Sequence, residues 1–166
     1  VCGKASIDSV RVRGVGPIRA ANPFVSADTV AAIPERLREG QTLFASTGGL
    51  HAAGLFDSEG RLLSLREDIG RHNAIDKIVG EQLLAGRVPL NDRVLGVSGR
   101  ASFEVVQKAA IAGIPFIVAV GAPSSLAVEL ANELDLTLVG FARAQGFNVY
   151  SGVSRIVEPL IARSGR

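Results

Sequence analysis

A chain of 166 residues with 47% hydrophobic content is long enough for one domain with a substantial core, and its apolar runs stop well short of a bilayer span. The net charge of +2 is spread without a basic stripe or interleaved aromatic residues, and no basic-then-apolar leader is visible, so nucleic acid, membrane and secretion are not expected. One cysteine, Cys2, excludes an internal disulfide framework and any multi-cysteine metal site, and it points to a reducing compartment.

Residues 1–27 contain Gly14, Gly16, Pro17 and Asn22-Pro23 and read as a connecting arm, with one short strand around 10–12. Val1-Cys2-Gly3-Lys4 lacks an initiator methionine, and the expectation is a chain that begins inside a motif. Residues 28–166 read as a single α/β domain. Asp28 is expected to cap a helix over 29–38, with Gly40 as its stop and Pro34 either kinking it or marking a second start. Residues 41–46 allow another helical turn or two. Thr47-Gly48-Gly49 is too short for a phosphate-loop or dinucleotide fingerprint, yet ahead of His51 it lets backbone pass close to a neighbour.

Runs 51–56 and 61–66 flank Asp57-Ser58-Glu59-Gly60 and predict an antiparallel hairpin. Beyond it the pattern alternates: helix 71–85, strand 93–97, helix 101–112, strand 115–120, helix 124–134, strand 136–142, and a last strand at 147–150. Alternation of this kind predicts a three-layer α/β/α domain around a parallel sheet, which the hairpin makes mixed.

Residues 66–77, reading Arg-Glu-Asp-Ile-Gly-Arg-His-Asn-Ala-Ile-Asp-Lys, concentrate ionisable groups where a strand gives way to a helix. Arg71 and His72 open that helix on the side of its apolar stripe and should face the fold. A structural network among these charges is the plain alternative to a ligand site. The loops after strands 61–66, 93–97 and 115–120 should converge on one sheet edge, bringing together Glu67, Asp68, Arg71 and His72, then Ser98-Gly99-Arg100-Ala101-Ser102, then Gly121-Ala122-Pro123-Ser124-Ser125. Small residues, helix N-termini and two arginines suit a phosphate-bearing ligand. Ordinary capping by Asp68, Ser98 or Ser102, and Ser124 would explain any one loop without a ligand.

Zinc chemistry is a poor fit. His51-Ala52-Ala53 has alanine where a zinc deaminase needs its glutamate, no Pro-Cys-x-x-Cys follows, and the two histidines lack ligand spacing. A serine hydrolase centred on Val97-Ser98-Gly99 lacks the nucleophile-elbow glycines and a specified partner histidine. Cys2, flanked by Gly3 with Lys4 nearby, is either an inert thiol or a group carrier on an arm.

Thr47-Gly48-Gly49-Leu50-His51-Ala52-Ala53, the run from Arg66 through Asn73-Ala74, Ser98-Gly99-Arg100-Ala101-Ser102-Phe103-Glu104 and Val106-Gln107-Lys108-Ala109-Ala110 resemble signature blocks of the formate dehydrogenase accessory sulfurtransferase family, FdhD/NarQ. Ala122-Pro123-Ser124-Ser125-Leu126-Ala127-Val128 and Thr137-Leu138-Val139-Gly140-Phe141 extend the resemblance over nearly the whole chain. It implies a cytoplasmic sulfur carrier that takes persulfide sulfur from a cysteine desulfurase. That sulfur goes to the molybdenum bis(guanine dinucleotide) cofactor, held as a bound substrate, before its insertion into apo-formate dehydrogenase. It also implies a cytidine-deaminase-like fold without zinc, with no metal held by the chain itself.

By the same resemblance Cys2 is the second cysteine of a Cys-x-x-Cys pair whose first member would precede Val1. The guanine-dinucleotide segment would be Phe141-Ala142-Arg143-Ala144-Gln145-Gly146, beside Arg71, His72, Ser98, Gly99 and Arg100. The rival readings are a non-catalytic guanine-nucleotide or molybdenum-cofactor chaperone and a deaminase-like hydrolase. A homodimer stays open.

Overall fold

The computed structural model describes residues 16–18 and 23–158. Cys2 and the strand expected around 10–12 lie outside them. Strand β1 (Val25–Ser26) leads into helix α1 (Ala27–Gly40), and α2 (Thr42–Thr47) follows. The hairpin is β2 (His51–Phe56) and β3 (Leu62–Asp68), and the alternating part is α3 (Arg71–Leu84), β4 (Val94–Val97), α4 (Phe103–Ala112), β5 (Phe116–Ala119) and α5 (Ser125–Glu133). Strands β6 (Thr137–Arg143) and β7 (Gly146–Ser151), a short 3-10 turn and β8 (Ile156–Val157) close the described chain.

The sheet is six-stranded in the order β3-β2-β4-β5-β6-β7. Strands β4, β5 and β6 are parallel, while β2 runs antiparallel to both β3 and β4, and β7 antiparallel to β6. The C-terminal ends of β3, β4, β5 and β6 therefore share one edge with the N-terminal ends of β2 and β7. That edge positions everything discussed below.

Strand residues alternate between two cores, as a pleated sheet covered on both faces requires. Ala53, Leu55, Leu95, Val97, Ile117, Ala119 and Leu138 pack under α3, α4 and α5. Ala52, Phe56, Val94, Phe116, Val118 and Val139 pack under α1 through Val30, Ile33 and Leu37. This is the three-layer mixed α/β architecture expected from the alternation.

Helix α1 begins earlier than its pattern suggests, and its cap is Ser26, whose Oγ accepts the Thr29 N–H at 3.1 Å. Asp28, expected as the cap, sits in the first turn, where its charge complements the helix dipole. Pro34 lies inside an uninterrupted helix rather than restarting one. Gly40 is the last helical residue, and its role is proximity: a Cβ there would stand 2.8 Å from Leu65 Cδ1. At the far end of the molecule Arg155, 5% exposed, ties the chain's turns together through Ile18 O at 3.2 Å and Asp135 Oδ2 at 3.1 Å.

Candidate ligand-binding site at the sheet edge

A cavity of about 730 Å3 opens at this edge on the α1 side of the sheet. Its walls come from α1 (Pro34, Leu37, Arg38), from Gln41 and Phe44, from Gly48-Gly49-Leu50-His51, from Ser98 and Val120, and from residues 142–145. The volume falls within the roughly 300–1,000 Å3 of small-molecule sites, and an apolar lining with a few convergent polar groups is their usual composition.

Each polar group is placed by identifiable local chemistry. Gly48 ends α2 at φ +68°, a left-handed C-cap whose N–H returns to Phe44 O at 2.8 Å, so the chain reverses into β2 and sets His51 at the edge. A Cβ at Gly99 would come within 3.3 Å of His51 Nδ1, which shows how closely the imidazole lies against that loop. Ser98 Oγ accepts the Ala52 N–H at 2.8 Å while the Ser98 N–H donates to Ala52 O at 3.0 Å, so this serine extends the β2–β4 ladder and keeps its own proton for a ligand. Gln41 is only 7% exposed, lines the cavity, and makes no side-chain hydrogen bond among the described residues. Its amide is not sealed from solvent but faces the cavity space, so a ligand offering a donor and an acceptor can pair with it.

Residues 141–146 form the tip of the β6–β7 hairpin, with Arg143 paired to Gly146 across Ala144-Gln145. The register shifts between Gly140 and Arg143, and Phe141 adopts φ +53°, a strained conformation for a bulky side chain. This irregularity bends β6 where it meets the cavity, a recurrent use of bulges beside binding sites. Ala142, Arg143, Ala144 and Gln145 line the cavity, whereas Phe141 and Gly146 flank it.

The charged block 66–77 proves largely a brace. Arg66 pairs with Glu81 at 2.8 Å. Glu67 Oε1 and Oε2 accept the Phe44 and Leu43 N–H groups at 2.8 and 2.9 Å, capping α2 from a distant strand. Asp68 Oδ1 accepts from the Gly70 N–H at 2.9 Å and from Asn73 Nδ2 at 3.0 Å, and its Oδ2 meets Lys77 Nζ at 2.6 Å. The Lys77 hydrogen bond, followed by those from Gly70 and Asn73, pulls the Asp68 carboxyl down from 3.8 to about 2. Since the folded value is depressed, this group's stabilisation is fully present above 3.8 and is lost as pH falls toward 2. Asp68→Asn should therefore shrink the difference in unfolding free energy between about pH 5 and about pH 3, measured by urea titration. An unchanged difference would remove Asp68 from the brace.

Arg71 and His72 are half-buried, as their helical phase predicts, but neither lines the cavity. Arg71 Nε is buried without a hydrogen-bond partner. Arg100 is exposed and packs along Gly121, and the Gly121 N–H donates to Gly99 O at 3.0 Å, so the second and third loops do converge. The capping alternative holds for Ser124, whose Oγ accepts the Ala127 N–H at 3.2 Å. Of the residues expected at the cofactor edge, Ser98 and 142–145 meet in one cavity, while Arg71, His72, Gly99, Arg100, Phe141 and Gly146 do not line it. Gln41, Phe44 and Arg38 join it without any motif in the sequence. Among the described residues no group of His, Cys, Asp and Glu side chains gathers as a metal site, and no helix is long and apolar enough to cross a membrane.

A model of the FdhD/NarQ family matches residues 1–157. A relative from Nocardia farcinica named sulfur carrier protein FdhD is 56% identical over 156 residues, covering 94% of this chain and 56% of that protein. Relatives of the same name from Streptomyces avermitilis and Thermoplasma volcanium are 54% and 46% identical, covering 99% and 95% of this chain and 59% and 56% of theirs. The chain thus spans little more than half the length of these curated relatives. The crystal structure described as a formate dehydrogenase accessory protein from Desulfotalea psychrophila is similar at a TM-score of 0.78 and 33% identity, over 89% of this chain and 62% of that one.

Proposed function

Since the chain belongs to the FdhD/NarQ family, we propose that it serves as a sulfur carrier in formate dehydrogenase maturation, holding a guanine-dinucleotide molybdenum cofactor as its substrate at the sheet edge. The observation that supports this most is Gln41, whose side chain lines the cavity and makes no hydrogen bond among the described residues. An amide offers one acceptor and two donors on a plane, which suits the edge of a nucleobase. Arg143 and Arg38 stand at the same walls to meet phosphate oxygens, and Phe44, Leu50 and Val120 give the base an apolar bed.

Cys2 belongs to the transfer half of this reading. A thiolate attacks the terminal sulfur of the desulfurase's cysteine persulfide, a new S–S bond forms, the old one breaks, and the donor cysteine leaves as its thiolate. Lys4, two residues on, would favour the attacking thiolate if it approaches. The persulfide so formed then presents sulfur to the cofactor. The soluble setting for this exchange is the cytoplasm, with the desulfurase and the apo-formate dehydrogenase as successive partners.

The test is transfer of radiolabelled sulfur from a cysteine desulfurase to a chain carrying both cysteines of the Cys-x-x-Cys pair. Label released by reductant, and lost when both cysteines are replaced by alanine, is the expected result. Undiminished labelling of the cysteine-free variant would overturn the carrier mechanism. If that variant also restored formate dehydrogenase activity, the protein would be a cofactor chaperone instead.

A further inference from the structure

Ser102, His72 and Glu104 meet where α3 and α4 begin, the first two joined by a hydrogen bond and the last two by an ion-pair contact, and none of the three lines the cavity. His72 Nε2 lies 3.0 Å from Ser102 Oγ, and His72 Nδ1 lies 3.2 Å from Glu104 Oε2. The negative charge of Glu104 beside Nδ1 favours the proton on that nitrogen, which leaves the Nε2 lone pair to accept the serine proton. Burial keeps the imidazole below the usual 6.5, overriding the Glu104 charge, which acts the other way. Arg71 and Lys108 reinforce the depression, and Asp76 weakly opposes it. The ring is therefore neutral, and a base, at neutral pH.

Ser102 is also unusual for its position. It is the N-cap of α4, where a serine oxygen ordinarily accepts a helix N–H, yet its side chain makes no capping bond. The hydroxyl is committed to His72 instead. The N–H groups of Phe103 and Glu104, first in the helix, have no intrahelical acceptor and stand beside it at the positive end of the helix dipole. His72 and Glu104 keep 24% and 35% of their side-chain surface exposed, so the group is reachable from solvent. Lys108, bound to Asp76 at 2.6 Å and 3.7 Å from Glu104 Oε1, steadies the carboxylate from its far side.

We propose that Ser102 is an activated nucleophile that accepts acyl groups from small activated esters and thioesters, with His72 as its base and Glu104 as the residue that positions the base. Ser102 Oγ bonds to the carbonyl carbon as its proton passes to His72 Nε2. The bond to the alcohol or thiol breaks as that proton is handed to the leaving group. Water then repeats the sequence and releases the acid, so no oxidant or reductant is needed. The N–H groups at the head of α4 face the developing oxyanion.

The purified chain is treated with a fluorophosphonate probe, the adduct is mapped by peptide mass spectrometry, and p-nitrophenyl acetate hydrolysis is followed in parallel. The expected result is one adduct, on Ser102, with both rates rising with pH through a midpoint below 6.5. His72→Gln, which keeps a hydrogen bond but supplies no base, should slow both by about 10²–10⁴-fold. Glu104→Gln should also slow both and change the pH profile, because the charge that favours the Nδ1 proton is removed. Circular dichroism of each variant checks the fold, and the wild-type adduct map stands even where a variant misfolds. No adduct on Ser102 in the folded wild type, or equal rates in folded His72→Gln, would overturn the proposal and reduce the chain to mutual satisfaction of polar groups.

Discussion

Phe56→Ala is expected to lower the unfolding free energy by about 3–5 kcal/mol, the range for removing a buried aromatic ring. Phe56 is fully buried, and its ring lies over the glycines of two adjacent strands. A Cβ at Gly96 would stand 2.8 Å from Phe56 Cε2, and one at Gly54 would stand 2.9 Å from the same atom. The glycines are present so that the ring can fill the space between β2, β4 and α1, where Ile33 and Leu37 close over them. Gly96→Val alone should cost about 1–3 kcal/mol by overpacking. The double variant should cost less than the sum, because the valine methyls enter the volume the ring leaves. Urea denaturation of the four proteins measures the coupling, and strict additivity would contradict this account of the glycines.

Arg143→Ala is expected to weaken guanosine diphosphate binding about 10- to 150-fold, corresponding to the roughly 1.5–3 kcal/mol of a hydrogen bond to a charged group. Arg143 lies in the cavity wall at the hairpin tip, exposed, and its side chain forms no ion pair or hydrogen bond among the described residues. Its loss should therefore leave stability within about 0.5 kcal/mol of wild type. Arg100→Ala, at a residue that does not line the cavity, should change affinity little. Isothermal titration of the three proteins decides between them. An Arg100 effect larger than that of Arg143 would move the phosphate site to the α3–α4 side of the edge.

The order and type of the elements were legible because apolar spacing and turn residues agreed: the 51–56 and 62–68 hairpin, the alternating helices and the convergent loops follow the pattern closely. Caps were less so. Ser26 and Asp28 are both good N-cap residues two positions apart, and only the β1–β8 pairing, which fixes Val25 and Ser26 as extended, decides between them. The charge block 66–77 was visible but its division of labour was not. Lys77 reaches back to Asp68 within the block, but Glu67 reaches across to α2 and His72 turns toward α4, partners 23 and 30 residues away.

The cavity shows the same limit. Its 142–145 wall and Ser98 came from recognisable segments, yet Gln41 sits between two helices in no motif and becomes significant only when folding sets it in the cavity wall. Ser102 was legible as a loop residue and candidate cap, but its partner His72 was not. The histidine missing from a hydrolase centred on Ser98 exists, but it lies 30 residues away and serves Ser102.

The central claim is that a guanine nucleotide occupies the cavity between α1, the His51 end of β2 and the β6–β7 turn. A crystal structure of the protein soaked with guanosine diphosphate tests it most directly. The base should lie within hydrogen-bonding distance of the Gln41 amide, with the diphosphate toward Arg143. Nucleotide bound against Arg71 and Arg100 with the Gln41 cavity empty would contradict it.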